Sequence, residues 1–137
     1  VKVFLDTNVL VSAIATRGLC ADVMREVLSS HLLVISAPLL DELRRILTEK
    51  IVLPENVISD FIDLLQQDAI QSTTEENVNI DFQDSDGIPI LSSALNGGTD
   101  FFVTGDKALL KLGKLSDMSI LSPREFWENS RTDKNTR

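Results

Sequence analysis

Short β-branched and aromatic runs alternate along this chain with longer stretches whose apolar residues recur every three or four positions. Residues 2–5 (KVFL) are the first such run and end at Asp6, the pattern of a short buried strand. Asn8 is a candidate N-cap for a helix over 9–15, which breaks at Thr16, Arg17 and Gly18. Cys20, Val23, Met24, Val27 and Leu28 then fall at helical spacing. Residues 32–35 (LLVI) predict a second strand. Ser36 with Ala37 and Pro38 is a helix start, and Leu39, Leu40, Leu43, Ile46 and Leu47 give that helix one apolar face. Pro54 opens a helix with a stripe of Val57, Ile58, Phe61, Ile62 and Leu65. A short strand is expected near 69–72, and the polar, acidic stretch 73–86 reads as loop. Residues 88–95 are helical and stop at Gly97 and Gly98, a C-cap signal. Residues 101–104 (FFVT) are a third clear strand, after which Gly105 and Asp106 turn the chain into a short helix through Leu112. Residues 118–121 (MSIL) predict a further strand, and Ser122-Pro123 begins a last helix carrying Phe126 and Trp127.

Strand and helix in alternation imply an α/β domain, a mostly parallel sheet covered by helices on both faces. The chain shows no internal repeat and no linker that would split it. One domain is expected over 1–129, with a polar tail at 130–137. The aromatic fraction is only 5 % against 43 % apolar residues, so the core should be aliphatic. No apolar run approaches the roughly 18 residues needed to cross a bilayer, and residues 1–5 are too short for a signal-peptide core. The single cysteine, Cys20, cannot form an internal disulfide, which fits a reducing cytoplasm. With one Cys and one His (His31), a Cys/His zinc cluster is excluded, so any metal must be held by oxygen ligands. The formal net charge of −8 opposes a protein that grips nucleic acid by charge alone. A nucleic-acid partner would need positive charge from metal ions or from another molecule.

In open α/β sheets, ligands bind beyond the carboxyl ends of the strands. Asp6 follows the first strand there, and Thr104, Gly105 and Asp106 follow the strand at 101–104. If those strands are neighbours, the two aspartates converge. Glu42 shares a helix face with Leu39 and Ile46, and an ionisable group beside an apolar stripe calls for a partner or a ligand. Asp84 and Asp86 precede the helix that begins near Ile88. Taken singly, each acid has a plainer reading: Asp6 and Asp106 as helix caps, Glu42 as a partner of Arg45, Asp84 and Asp86 as turn residues. Taken together, they form a carboxylate group that Mg2+ or Mn2+ would stabilise. A bound ion would lower the pKa of its water and neutralise phosphate charge. Lys107, Arg44 and Arg45 are candidates for holding a nucleic-acid backbone, each also readable as an ordinary surface charge. His31, before the second strand, stands at the opposite edge of the sheet and is no general base for such a site.

These residues resemble the PIN-domain family. V-F-L-D-T-N-V-L at 3–10 is similar to the family's opening strand and first acid. S-A-P-L-L-D-E-L-R-R-I-L at 36–47 resembles its second motif, with Glu42 at the acidic position. The stretch 90–110, with V-T-G-D at 103–106, resembles the third and fourth motifs, and S-P-R-E-F-W at 122–127 the final strand-to-helix junction of one bacterial and archaeal branch. The resemblance implies a three-layer α/β/α domain with a parallel sheet of about five strands and a Mg2+- or Mn2+-dependent cleft that cleaves single-stranded RNA. It assigns Asp6, Glu42 and Asp106 as metal-organising acids, with Asn8 and Thr104 as supporting polar groups. Relatives often carry D-x-D-D ahead of the Pro-Ile-Leu stretch. Here the residues are Asp84, Ser85, Asp86 and Gly87, so the fourth acid is assigned to Asp86, with Asp84 as substitute. A small PIN protein of this kind also resembles the toxin of a toxin–antitoxin pair, held by a small antitoxin protein, and a homodimer through the apolar stripe at 54–69. The alternative is a PIN-fold binding module whose site is degenerate at Gly87. Other α/β enzymes fit less well. A phosphatase using Asp6 would want a second Asp where Asn8 stands, and a receiver domain lacks its acidic pair near the N-terminus. P-loop and G-x-G-x-x-G motifs are absent.

Overall fold

The computed structural model describes residues 1–73 and 87–135; the expected acidic loop, with Asp84 and Asp86, lies almost wholly outside the described residues. The elements run β1 (Lys2–Leu5), α1 (Thr7–Ala15), α2 (Leu19–Ser30), β2 (Leu32–Ser36), α3 (Ala37–Glu49), α4 (Glu55–Gln66), β3 (Ile70–Ser72), α5 (Ile88–Asn96), β4 (Phe101–Val103), α6 (Lys107–Leu112), β5 (Lys114–Leu115), β6 (Met118–Leu121) and α7 (Pro123–Asn135). The sheet order is β3-β2-β1-β4-β6-β5. All pairs are parallel except β5 with β6. From β1 the chain builds outward through β2 to β3, then returns to lay β4 on β1's other side. The junction of β1 and β4 is therefore the switch point of the sheet, where a crevice opens beyond the strand ends.

The register Phe4↔Phe102 stacks two fully buried rings, 5.2 Å between centroids and 8° from parallel. This contact fixes β4 against β1 one turn below the crevice. Elsewhere the core is mainly aliphatic, with Phe61 and Phe126 also buried: Leu39, Leu43 and Leu47 of α3 and Ile58 and Leu65 of α4 are essentially inaccessible. Gly97 ends α5 where that helix meets β2 and β3. A Cβ there would stand 2.7 Å from Val34 Cγ1 and 3.1 Å from Ser72 Cβ, so only glycine permits this approach.

Several details depart from the pattern reading. Helix α1 begins at Thr7, because its cap is Asp6 and not Asn8; the Asp6 carboxylate accepts the Thr7 N–H at 2.8 Å. Asn8 is drawn off to β4, as described below. The sheet has six strands rather than about five, since the two-residue β5 is too short to show periodicity. Helix α7 continues to Asn135, past the expected start of an irregular tail. Its start is a reciprocal cap, Ser122 Oγ accepting the Glu125 N–H and Glu125 Oε1 accepting the Ser122 N–H, both at 3.1 Å. One turn on, the Arg131 guanidinium lies 4.0 Å from the Trp127 ring centroid, an i,i+4 contact that favours continued helix.

Candidate active site

Asp6 leaves the end of β1 and Thr104 the end of β4, and the parallel register sets them side by side. Asp6 is 8 % exposed and Thr104 fully buried. The Thr104 hydroxyl donates to Asp6 Oδ2 at 2.7 Å and accepts the Asp106 N–H at 3.0 Å. Asn8 bridges the same strands. Its Nδ2 donates to Asp6 Oδ2 at 3.2 Å and to Thr104 Oγ1 at 3.3 Å, and its Oδ1 accepts the Gly105 N–H at 2.9 Å. The D-T-N and T-G-D segments are thus one hydrogen-bonded unit.

Asp106 caps α6 through Oδ1, which accepts the N–H groups of Ala108 and Leu109 at 2.8 and 3.4 Å. Both cap bonds use one oxygen, and Oδ2 has no donor among the described residues. Glu42, half-buried on α3, has neither ion pair nor hydrogen bond among the described residues. Arg45, its suspected partner, reaches Glu49 instead at 3.9 Å. Burial pushes the Asp6 carboxyl above its ordinary pKa. The Thr104 hydroxyl and Thr7 N–H act against this, while the charges of Glu42 and Asp106 push it further up. A like-charge effect on Asp6 means that the three acids share one electrostatic neighbourhood.

That neighbourhood is a cavity of about 310 Å³ lined by Asp6, Asn8, Glu42 and Asp106, with Ile90, Leu91 and Phe102 among its apolar walls and Gly87 at its edge. The sequence-predicted residues divide as follows. Asp6, Asn8, Glu42, Thr104 and Asp106 come together, and Arg45 lines the cavity. Arg44 does not; it pairs with Glu55 of α4 at 2.9 Å. Lys107 is likewise outside the lining, and Asp84 and Asp86 lie outside the described residues. His31 is remote from the cavity, its ring edge-on to Phe126 at 5.6 Å. Sequence reasoning missed Lys50, which lines the cavity. Its signal was there: Lys50 is eight residues past Glu42 and four past Ile46, on the same helical face.

Among the described residues, no group of three or more Asp, Glu, His or Cys side chains is gathered closely enough to hold an ion. The donor chemistry nevertheless fits a hard cation. All candidate ligands are carboxylate oxygens, those of Glu42 and Asp106 Oδ2 have no donor among the described residues, and Mg2+ commonly takes one or two carboxylates and keeps several waters.

A family model described as PIN domain matches residues 2–108. A comparison with curated proteins gave no match. Among solved structures, the fold is similar to a chain of VapBC2 from Rickettsia felis, a structure determined bound to a DNA fragment from their promoter. The TM-score is 0.63 at 14 % identity, covering 89 % of this chain and 98 % of that one.

Proposed function

The chain belongs to the PIN-domain family, and from that premise we propose that it is a Mg2+- or Mn2+-dependent endoribonuclease hydrolysing phosphodiester bonds of single-stranded RNA. The observation that carries this reading is the convergence of Asp6, Glu42 and Asp106 on one cavity at the switch point of the sheet, with the Glu42 carboxylate and Asp106 Oδ2 free of donors among the described residues.

Asp6, Glu42 and Asp106 would hold the ion, with Asp86, outside the described residues, as the fourth acid. When bound, it supplies positive charge for a phosphate and makes a coordinated water more acidic. Thr104 and Asn8 hold the Asp6 carboxylate in one orientation, so its charge is fixed before substrate arrives. Ile90, Leu91 and Phe102 keep bulk water from one side of the cavity, which strengthens the electrostatics inside it.

The protein acts, in this reading, in the cytoplasm as the toxin of a toxin–antitoxin pair, restrained by a small antitoxin protein. Similarity of fold to a chain of the VapBC2 structure supports a partner of that kind. A homodimer through α4 is part of the same proposal, since Val57 and Leu64 remain 37 % and 44 % exposed on that helix. A second reading, a PIN-fold RNA-binding module without catalysis, draws on Gly87 at the cavity edge where relatives carry an acid.

The first test is thermal unfolding with and without Mn2+, for wild type and Asp6→Asn, followed by cleavage of a labelled single-stranded RNA. Metal at about a hundredfold over its Kd stabilises by about 2.7 kcal/mol, or roughly 2–8 °C for a domain of this size. A shift in wild type but not in the variant, with cleavage lost in the variant, is expected. RNA binding without cleavage at any metal concentration would favour the binding module, and neither binding nor cleavage would sink the proposal.

A further inference from the structure

The cavity has two chemically opposite ends, and α3 supplies both. Glu42, Arg45, Ile46 and Lys50 lie on one face of that helix and its C-terminal turn, and all four line the cavity. Glu42 and Lys50 are eight residues apart, roughly 12 Å along a helix axis. The acids therefore stand at one end and an ammonium at the other, with apolar wall between.

Lys50 has no hydrogen bond or ion pair from its ammonium among the described residues. Arg45, the other cation at the cavity, is engaged with Glu49 at 3.9 Å. Lys50 is exposed, and the ion pairs to Asp22, Glu55 and Glu49 are all made by arginines; what sets Lys50 apart from the other described lysines is its place in the cavity lined by Asp6, Glu42 and Asp106.

The backbone after Lys50 is itself unusual. Lys50 and Ile51 both donate their N–H groups to the Ile46 carbonyl, at 2.9 and 3.1 Å, and Leu53 donates to the Leu47 carbonyl at 3.0 Å. This closure requires a left-handed residue, and the chain uses Val52, at φ 59° and 72 % exposed. A β-branched residue there is strained, and no buried contact of Val52 explains it. Lys50 itself is the C-cap of α3, in ordinary right-handed backbone, and lines the cavity just before this turn.

We propose that Lys50, assisted by Arg45, is a phosphate-anchoring residue that positions a single strand by holding a backbone phosphate next to the scissile one. This inference rests on the nuclease reading. Lys50 stands roughly two helical turns from Glu42, which assigns it to substrate position rather than to the reacting atoms.

The rival role for Lys50 is complementing the negative end of the α3 dipole. That role would change stability and leave ligand binding alone. The test measures binding of a fluorescein-labelled single-stranded oligoribonucleotide by anisotropy across a salt series. It uses Asp6→Asn as the uncleaving background and compares it with the same protein carrying Lys50→Ala or Lys50→Arg. Lys50→Ala should weaken binding roughly tenfold at low salt, the scale of a charge-assisted hydrogen bond. It should also reduce the slope of log K against log salt by about 0.7, one phosphate on a single strand. Lys50→Arg should keep most of both, and Lys50→Ala in the active protein should raise KM with little change in kcat. Unchanged affinity and slope in Lys50→Ala, beside a background protein that binds, would overturn this inference alone. A folded background protein that does not bind the strand, with a wild type that does not cleave it, would overturn the nuclease reading and this inference with it.

Discussion

Thr104 has one hydroxyl proton and gives it to Asp6, while its oxygen takes the Asp106 N–H. Two of the three acids are thus oriented by one buried side chain. Thr104→Val keeps the shape, removes the donor from Asp6 and leaves the Asp106 amide without its acceptor. The expected cost is about 1–3 kcal/mol of stability and roughly 10–100-fold of activity, and Thr104→Ser should restore most of both in denaturant titration and cleavage assays. Asp6 itself opposes folding at neutral pH. Its folded-state pKa is raised, chiefly by burial. Its contribution to stability is therefore complete below the unfolded value of roughly 4 and is lost as pH rises through the folded value. In metal-free protein, the Tm of Asp6→Asn relative to wild type should climb as pH rises from about 4 toward neutrality, and Mn2+ should reduce or invert the gap. A pH-independent gap in calorimetry would show that Asp6 is not titrating under this constraint. At the same scale, Cys20 is half-buried and its thiol is pushed above its ordinary pKa by that burial, so it should alkylate more slowly than a free thiol at neutral pH.

At the scale of elements, the junction of α5 with β2 tolerates no added atom. Gly97→Ala should cost about 1–3 kcal/mol through overpacking, because Val34 and the Ser72 Cβ are held in the sheet and cannot both withdraw. The strained turn after α3 gives the opposite sign. Val52→Gly should raise stability by up to about 1 kcal/mol, the strain relieved less the added entropy of the unfolded glycine. Most elements were legible because burial imposes a period. Residues 32–35 and 101–104 are continuous apolar runs with turn or cap residues at their ends, and α3 and α4 show one apolar stripe each. The site was legible for a related reason: Asp6 and Asp106 each terminate such a run, so their edge of the sheet followed from topology. What lacked a local signal was lost. Asn8 carries the local signal of a cap, and only the family resemblance points to a place at the site; its side chain spans to Gly105, 97 residues away. Arg44 and Arg45 are adjacent in sequence, and helical rotation sends one toward α4 and the other to the cavity. Lys50 at a helix end looks like a dipole complement, and only its helical phase with Glu42 connects it to the site. Strand β5, two residues long, has no pattern to read.

The molecule as a whole sets β1 and β4 at the middle of the sheet and finishes its two sides with strands of three and two residues, β3 and β5. Short edges of this kind resist edge-to-edge aggregation. The central pairing joins distant parts of the chain: Asp6 and Thr104 are 98 positions apart in sequence. Their contact waits on loop closure across most of the domain, a non-local pairing of the kind that slows folding. On the proposed ribonuclease reading this has a consequence in time. The ribosome that makes it is itself RNA, and the growing chain stays beside that machine while it is translated. Until β4 emerges and pairs with β1, Asp6 has neither Thr104 nor Asp106 beside it, and the nascent polypeptide has no assembled acid site. Chains stalled in translation before residue 101 should therefore leave a neighbouring transcript intact, whereas released, folded chains should cut it. On that reading, the order of strands delays assembly of the acid site until β4 has been made.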